Sequence, residues 1–389
     1  LPGPAGGVQD LAFSPDDVIL YVGASDGLAA WDLRGDQGFV RRLHPPAAET
    51  PFADLAVPAP DGAAVASFHT SESGRRGDTL RFRDLSSGHL GDPIATGHDN
   101  WAPAWRPPCW EQFATADGDG FVRVWDWRSG KRVIERQVAD GYIGGIAYTD
   151  DGRRLVIGQR SSRVGEGDPS SDDVGRVFEV DADTLQPVGG RVELEHPVRE
   201  VFTGPNPDLV VALMSGGPYA TVDLAGGRVL RRFDLDVDPT WLDVSPDGAR
   251  LAVGISDGRV GLVDVESGEW IQPPSDGHDG WVRRVSFAAD GSIFASSGHD
   301  GQVRLWDGRT GTPVAGITPD GPGVWTAVEF QPDDATVIIA DRNGAVYTWD
   351  TRPEQWIERA CALAGRNLTE AEWQDTFGDR SYHETCPTD

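Results

Sequence analysis

The sequence has little of what several protein classes require. Its 389 residues include only three cysteines, too few for a scaffold of disulfides, and no run of about 18 apolar residues that would predict a membrane-spanning helix. Positive charge is also in the minority, because 34 lysines and arginines face 62 aspartates and glutamates, for a net charge of −28. Such a surface repels a phosphate backbone, which argues against nucleic-acid binding. Acidic charge of this kind usually serves solubility, and the alternative is a preference for basic partners.

Methionine and lysine are nearly absent as well. Met214 is the one methionine, and the chain opens Leu-Pro-Gly-Pro, so we expect it to be a segment of a longer protein. Lys131 stands alone among many arginines, which indicates a GC-rich bacterial genome rather than a function. We expect a cytoplasmic location.

Glycine and proline are abundant, at 49 and 28 residues, which is typical of a turn-rich all-β protein. A repeat organises them: FASSGHDGQVRLWD at 294–307 matches FATADGDGFVRVWD at 113–126 in register, and weaker copies give eight units with a period near 43 residues. Four short apolar runs separated by Gly/Asp turns predict a four-stranded antiparallel sheet in each unit. Because one such sheet cannot bury its own faces, we expect eight sheets packed radially, with seven as the alternative.

The pattern Gly-His, then Ser-Pro-Asp-Gly, then Trp-Asp at this period resembles the WD40 repeat, the blade of a β-propeller. It is best preserved from Gly277-His278 to Trp306-Asp307. The C-terminal segment ACALAGRNLTEAEW resembles the end of bacterial multidomain proteins in which a WD40 propeller follows a STAND-class NTPase, a kinase or a protease. The resemblance implies a propeller at 1–351, attached to an upstream effector domain.

The resemblance also implies a structural network in each well-preserved blade, in which a His, a Ser or Thr, an Asp and a Trp are hydrogen-bonded in series. A buried imidazole and a buried indole N–H both need partners, which gives such a series its physical reason. Two sets match: His278, Ser296, Asp300 and Trp306 form one, and His98, Thr115, Asp119 and Trp125 form the other.

Two units exceed the period, through inserts at 70–77 and 160–173. Both inserts follow a second strand, and in an up-and-down sheet that link lies at the same end as the link into the first strand. Insertions gathered on one face often mark a binding face. The alternative is that the inserts are disordered loops and the aromatic residues near them belong to the core. The candidate partner-binding residues on this face are Trp101, Trp281, Tyr142, Arg75, Arg76, Glu166 and Asp168.

The tail at 352–389 breaks the β pattern, and we expect a helical extension packed on the propeller. Pro353 and Gly365 bound a helix with apolar residues at 3–4 spacing, and Thr369 to Glu372 form a capping box that opens a second helix. Cys361 and Cys386 could pair across this tail, although a cytoplasmic location favours free thiols.

No catalytic constellation stands out: there is no phosphate-binding loop, no HExxH and no paired CxxC. We therefore predict no catalytic residue, no cofactor and no metal, and a non-catalytic interaction or sensor domain that binds a protein or peptide. The alternative is a propeller enzyme, such as a lyase or lactonase, with a metal in the central channel. That site needs histidines or carboxylates converging from several inner strands, and no histidine falls on one.

Overall fold

The computed structural model describes residues 8–13, 19–24, 27–32, 40–44, 53–70, 78–96, 100–160, 174–206, 208–319, 326–364, 366–367, 369–377, 381–382, 384 and 386. They divide into two compact units. One unit is residues 44–346, and the other joins the two ends of the chain, 1–43 and 347–389. The boundary at residue 351 that the sequence suggests stays a prediction.

The first strands of the chain belong to the unit formed by its two ends. These are β1 (Val8–Phe13), β2 (Ile19–Ala24), β3 (Gly27–Asp32) and β4 (Val40–His44). The first three form a three-stranded antiparallel sheet in the order β1-β2-β3.

Residues 44–346 form successive antiparallel sheets, each with four strands in chain order. The first three sheets are β5 (Ala53–Pro58), β6 (Ala64–His69), β7 (Thr79–Asp84) and β8 (Ile94–Ala95); β9 (Asn100–Trp105), β10 (Gln112–Asp117), β11 (Phe121–Asp126) and β12 (Lys131–Gln137); and β13 (Ile143–Tyr148), β14 (Arg154–Gln159), β15 (Gly175–Asp181) and β16 (Pro187–Leu194). The next three are β17 (Val198–Thr203), β18 (Leu209–Met214), β19 (Tyr219–Asp223) and β20 (Arg228–Phe233); β21 (Pro239–Val244), β22 (Arg250–Ile255), β23 (Arg259–Asp264) and β24 (Trp270–Asp276); and β25 (Val282–Phe287), β26 (Ile293–Gly298), β27 (Val303–Asp307) and β28 (Pro313–Ile317). The last sheet to begin in this unit starts with β29 (Thr326–Phe330) and β30 (Thr336–Asp341).

The first strands of these sheets surround one cavity. β5, β9, β13, β17, β21, β25 and β29 all contribute residues to its wall, so seven blades close the ring. In the part of the chain that the structure describes there are seven four-stranded sheets, beside the three-stranded sheet β1-β2-β3. The prediction of eight repeats is therefore wrong, and the architecture is a seven-bladed β-propeller.

The extra repeat in the sequence has a structural explanation. Residues 8–32 supply three strands and end in Trp31-Asp32, so they count as a unit by period. The next strand, β4, is the sheet neighbour of β31 (Val346–Asp350) rather than of β3. The repeats are counted by the Trp-Asp pair that ends the third strand of each unit. That pair does not show which sheet the following fourth strand joins.

The second strand of each of these blades is the most deeply buried. In β26, five successive residues from Phe294 to Gly298 are buried, and β14 and β22 show the same pattern. A strand that faces a core on one side alternates, whereas continuous burial shows that neighbours cover both faces. The outer strands β12 and β20 are mostly exposed. The blades therefore pack face to face, as in the apolar cluster that includes Val260, Val285 and Trp306.

The aspartate that ends the Trp-Asp pair stabilises the turn into the outer strand. One carboxylate oxygen of Asp307 accepts the backbone N–H of Thr310 at 2.7 Å and its hydroxyl at 2.9 Å. Asp126 does the same with Ser129, at 2.7 and 2.6 Å. Hydrogen bonds from this serine hold the pKa of Asp126 below its ordinary value. The repeated Asp therefore satisfies turn amides that the sheet leaves unpaired.

The C-terminal segment contains α1 (Pro353–Ala364) and α2 (Glu370–Phe377), where the two helices were predicted. The indole N–H of Trp356 donates to the carbonyl oxygen of Asp350 at 2.6 Å, and its ring stacks on Trp349 with centroids 5.9 Å apart. Neither helix, within the described residues, has an apolar stretch long enough to cross a bilayer.

Candidate functional site

The turns that lead into β25 and from β26 to β27 hold one complete hydrogen-bonded series. The indole N–H of Trp306 donates to Ser296 Oγ at 2.8 Å, and Ser296 Oγ lies 2.7 Å from His278 Nε2. His278 Nδ1 lies 3.1 Å from an Asp300 carboxylate oxygen. The four side chains come from two turns and two strands of one blade, so the series ties that blade together.

With the His278 proton on Nδ1, every bond of the series has one donor and one acceptor. Since the indole only donates, Ser296 Oγ accepts from it and donates its own proton to His278 Nε2. His278 then carries its proton on Nδ1 and donates it to Asp300. Burial raises the pKa of Asp300, but hydrogen bonds from His278 and from the backbone N–H of Asp279 outweigh it, so the pKa is lowered. His278 and Ser296 are both buried, and both imidazole nitrogens are used within the blade, so the series connects its turns to its strands.

The second predicted series is only partly visible. The indole N–H of Trp125 donates to Thr115 Oγ1 at 3.1 Å, as in the first series. His98 lies outside the described residues. Asp119 is exposed, and the buried carboxylate of this turn belongs to Asp117, which is 1% exposed and pairs with Arg123.

Asp117 belongs to a second way of stabilising this turn, which the sequence reasoning missed. Its carboxylate accepts the backbone N–H groups two and four residues ahead, at 2.9 and 3.0 Å. Asp341 does the same for Asn343 and Ala345, at 2.8 Å each. The signal was available as Asp-x-Asp-Gly at 117–120 and Asp-x-Asn-Gly at 341–344. In these two blades, an aspartate at the end of the second strand therefore satisfies the backbone N–H groups of the turn that follows.

Trp281 is the predicted partner-binding residue that the structure describes most fully. It lies in the turn that leads into β25 and is 54% exposed. Its ring stacks on His299, with centroids 5.8 Å apart and planes inclined by 26°. Burial, together with nearby Arg283 and Arg342, lowers the pKa of His299, so the imidazole is neutral at pH 7. A neutral ring therefore packs beneath an exposed tryptophan on the turn-rich face, by which we mean the end of the blades that carries the turns into their first strands.

Tyr142 occupies the equivalent turn before β13. It is half-buried, and the guanidinium carbon of Arg160 lies 5.6 Å from the centre of its ring. The backbone of Trp101 lies in β9, and nothing is described of its side chain. The remaining candidates lie outside the described residues: Arg75, Arg76, Glu166 and Asp168.

The cavity at the centre of the seven first strands has a volume of about 200 Å³. Its wall carries three carboxyl groups, from Glu200, Asp243 and Glu329, and the guanidinium of Arg284, which also lies over the ring of Trp241 at 5.0 Å. Sequence reasoning considered this channel only for histidines and missed the carboxylates.

The polar side chains of the channel connect successive blades. Asp243 in β21 accepts the backbone N–H of Phe287 in β25 at 2.7 Å. Ser286 in β25 donates to Glu329 in β29 at 3.2 Å, and Arg284 contacts the other Glu329 oxygen at 2.6 Å. These bonds use the carboxylate oxygens for packing between blades. No group of three His, Cys, Asp or Glu side chains in the described ranges is arranged to hold a metal ion.

Two of these carboxyl groups, both on half-buried residues of the channel wall, have raised pKa values. Burial raises the pKa of Glu200 to about 8, although the Val201 N–H and nearby Arg284 and Arg199 act in the opposite direction. Burial likewise raises the pKa of Asp243 to about 7. Glu200 also packs against bare backbone, because a Cβ on Gly145 would lie 2.1 Å from its Oε1. Glu200 therefore favours its protonated form at neutral pH, whereas the pKa of Asp243 lies close to neutral pH itself.

The cysteines fall into two kinds. Cys361 and Cys386, the pair that the sequence left open, are joined by a disulfide in the structure. Cys109 is an exposed free thiol.

Comparison with known proteins supports the repeat and the fold. Residues 272–307 match the WD40 family model, described as "WD domain, G-beta repeat". The chain is 27% identical over 208 residues to WD repeat-containing protein 1 of Xenopus tropicalis. This match covers 50% of this chain and 31% of that protein. It is 23% identical over 239 residues to Autophagy-related protein 16 of Arabidopsis thaliana, and that match covers 60% of this chain and 44% of the relative. It is 24% identical over 235 residues to a 66 kDa stress protein of Physarum polycephalum, with 59% of this chain and 36% of the relative covered.

The match thus spans about a third of the length of the WD repeat-containing proteins. The resemblance to the WD40 repeat is confirmed by the family model. The relatives named are eukaryotic, so the bacterial signalling context stays a prediction.

Proposed function

We propose that this propeller is a non-catalytic protein-interaction domain whose turn-rich face binds a basic segment of a partner protein. The proposal depends most on Trp281, because a large aromatic side chain that is 54% exposed on the end of a rigid blade is a typical anchor for a partner side chain. Exposed tryptophans also bind arginine and lysine side chains through the face of the ring.

The charges around Trp281 favour a cationic partner. Asp257, Asp276 and Asp279 are exposed in the turns beside it, and the backbone N–H of His278 bonds the carbonyl oxygen of Gly258, which brings these turns together. Arg259 pairs with Asp257 at 2.7 Å, and Arg283 and Arg342 lie near His299, so the negative charge that supports the proposal is that of Asp276 and Asp279. The net charge of −28 adds long-range attraction for a basic segment.

The proposal includes a biological setting drawn from the sequence resemblance. We infer a bacterial signalling or regulatory protein of the cytoplasm in which this propeller is attached to a STAND-class NTPase, a kinase or another effector domain. The propeller would then report the binding of its partner to that domain.

The test compares two substitutions of equally exposed apolar side chains. Trp281→Ala removes the proposed anchor, and Val133→Ala, on the outer strand β12, removes a residue that is also 54% exposed but lies on the rim. Arginine-rich and glutamate-rich peptides of equal length serve as probes in surface plasmon resonance at low and high salt. We expect binding of the arginine-rich peptide alone, weakened at least tenfold by Trp281→Ala and unchanged by Val133→Ala. Equal binding by both variants would remove Trp281 from the interface.

A further inference from the structure

The C-terminal segment contains a loop that the Cys361–Cys386 disulfide closes, with the two cysteines 25 residues apart. Cys361 lies in α1, and Cys386 follows α2. Both are half-buried rather than enclosed by protein. A disulfide at such a position is accessible to a thiol reductant, whereas a fully buried one is protected.

Asn367 binds the backbone of Cys386 in the disulfide-bonded structure. The backbone N–H of Cys386 donates to Asn367 Oδ1 at 2.7 Å, and Asn367 Nδ2 donates to the Cys386 carbonyl oxygen at 3.1 Å. One side-chain amide thus satisfies both backbone groups of one residue, as a neighbouring strand would. These two bonds form only while Cys386 lies beside Asn367, so they add to the S–S bond in holding it there.

The stretch that carries Asn367 is itself fixed by bonds that involve no sulfur. Arg366 donates to both carboxylate oxygens of Glu372 at 2.8 Å. Glu372 accepts the backbone N–H of Thr369 at 2.8 Å, and its own N–H donates to Thr369 Oγ1 at 3.3 Å, which is the reciprocal capping box of α2. Asn367 is therefore pre-positioned for Cys386 whether or not the cysteines are oxidised.

The closed loop also covers an aromatic side chain. Trp373 in α2 is 5% exposed, and the ring of Tyr382 meets it edge-on, with centroids 5.8 Å apart and planes at 87°. Tyr382 lies four residues before Cys386, in the same C-terminal stretch. The disulfide thus holds the stretch that shields Trp373.

We propose that Cys361 and Cys386 form a reversible thiol–disulfide clasp, which holds the C-terminal stretch over Trp373 when oxidised and releases it when reduced, with Asn367 as the residue that positions Cys386 for reoxidation. Reduction by a dithiol breaks the Sγ–Sγ bond, transfers two electrons and two protons to give two thiols, and leaves the reductant as its disulfide. Reoxidation by glutathione disulfide reverses this, giving two molecules of glutathione. The clasp is independent of the proposed partner-binding face.

The test uses the whole chain with Cys109→Ser, which removes the exposed unpaired thiol. Hydrogen exchange by mass spectrometry follows residues 381–386 and α2 before and after dithiothreitol, and Cys386→Ser provides the permanently open form. We expect slow exchange in the oxidised protein, and faster exchange after reduction that equals that of Cys386→Ser. Unchanged exchange on reduction, or two titratable thiols after oxidative refolding, would overturn the clasp.

The role of Asn367 is measured separately, by the fraction of disulfide in glutathione buffers of graded ratio. Asn367→Ala removes the two hydrogen bonds to the backbone of Cys386 and should lower the equilibrium constant for disulfide formation roughly tenfold. Asn367→Asp keeps the acceptor for the Cys386 N–H and should recover part of that loss. An unchanged constant in Asn367→Ala would show that Asn367 does not position the cysteine.

Discussion

Ser296→Ala is the most informative single change in the blade built from β25 to β28. Ser296 is fully buried, accepts the indole N–H of Trp306 at 2.8 Å and lies 2.7 Å from His278 Nε2. The substitution removes one oxygen atom and leaves two buried groups, a donor and an acceptor, without a partner. The change in volume is small, so the loss reports hydrogen bonding rather than a cavity.

The expected loss follows from those two groups. A buried polar group left without a partner costs about 1–3 kcal/mol, so Ser296→Ala should lower the free energy of unfolding by about 2–5 kcal/mol. Native domains are stable by only about 5–15 kcal/mol, so this is a large fraction. Ser267→Ala is the matched control, because Ser267 is exposed and bonds Asp264 at 2.8 Å at the surface. It should cost below about 1 kcal/mol.

Urea denaturation with a double-mutant cycle separates the two partners. In a Trp306→Phe background the indole N–H is already gone, so adding Ser296→Ala leaves only His278 Nε2 without a partner. The serine substitution should then cost at least about 1 kcal/mol less than in the wild type. Strict additivity of the two changes, or a loss no larger than that of Ser267→Ala, would refute the hydrogen-bonded series as a source of stability.

Three further predictions concern the channel and one turn. The folded protein holds a proton on Glu200 that the unfolded chain releases, so the free energy of unfolding should fall as pH rises from about 4.5 to about 8. In Glu200→Gln, the melting temperature should therefore change less with pH over this range. Gly258→Ala should lower the free energy of unfolding in urea more than Gly227→Ala does. Both glycines have positive φ, but only at Gly258 would a Cβ lie 2.0 Å from a carbonyl oxygen. Equal losses of stability in the two variants would show that this close contact has no effect. Arg284→Met leaves Glu329 without its cation and should cost about 3 kcal/mol, whereas a neutral result would mean that water replaces the guanidinium.

The blade was predictable because its determinants are local. Turn residues, short apolar runs and the histidine–serine–aspartate–tryptophan spacing all lie within one repeat, so a single pass along the chain finds them. Trp281 was also predictable as a turn residue three positions after His278. Its exposure was not, because that depends on how His299 and the neighbouring turns pack around it.

The number of blades and the content of the channel were not predictable in the same way. Which sheet receives β4 is decided by pairing between distant parts of the chain, and no local pattern reports it. The channel did leave a trace: Asp243, Ser286 and Glu329 lie 43 residues apart, at equivalent positions of three successive first strands. Aligning the repeats by their turns would have shown polar residues where the other blades place apolar ones.

The neighbouring position of β4 and β31 has a consequence for biosynthesis. About 300 residues separate the two strands, so during translation the earlier strand leaves the ribosome long before the later one exists. Through that interval its backbone N–H and C=O groups lack the pairing they have in the finished molecule, and such edges attract other chains. The nascent chain is therefore most vulnerable to aggregation until its final strand has been made.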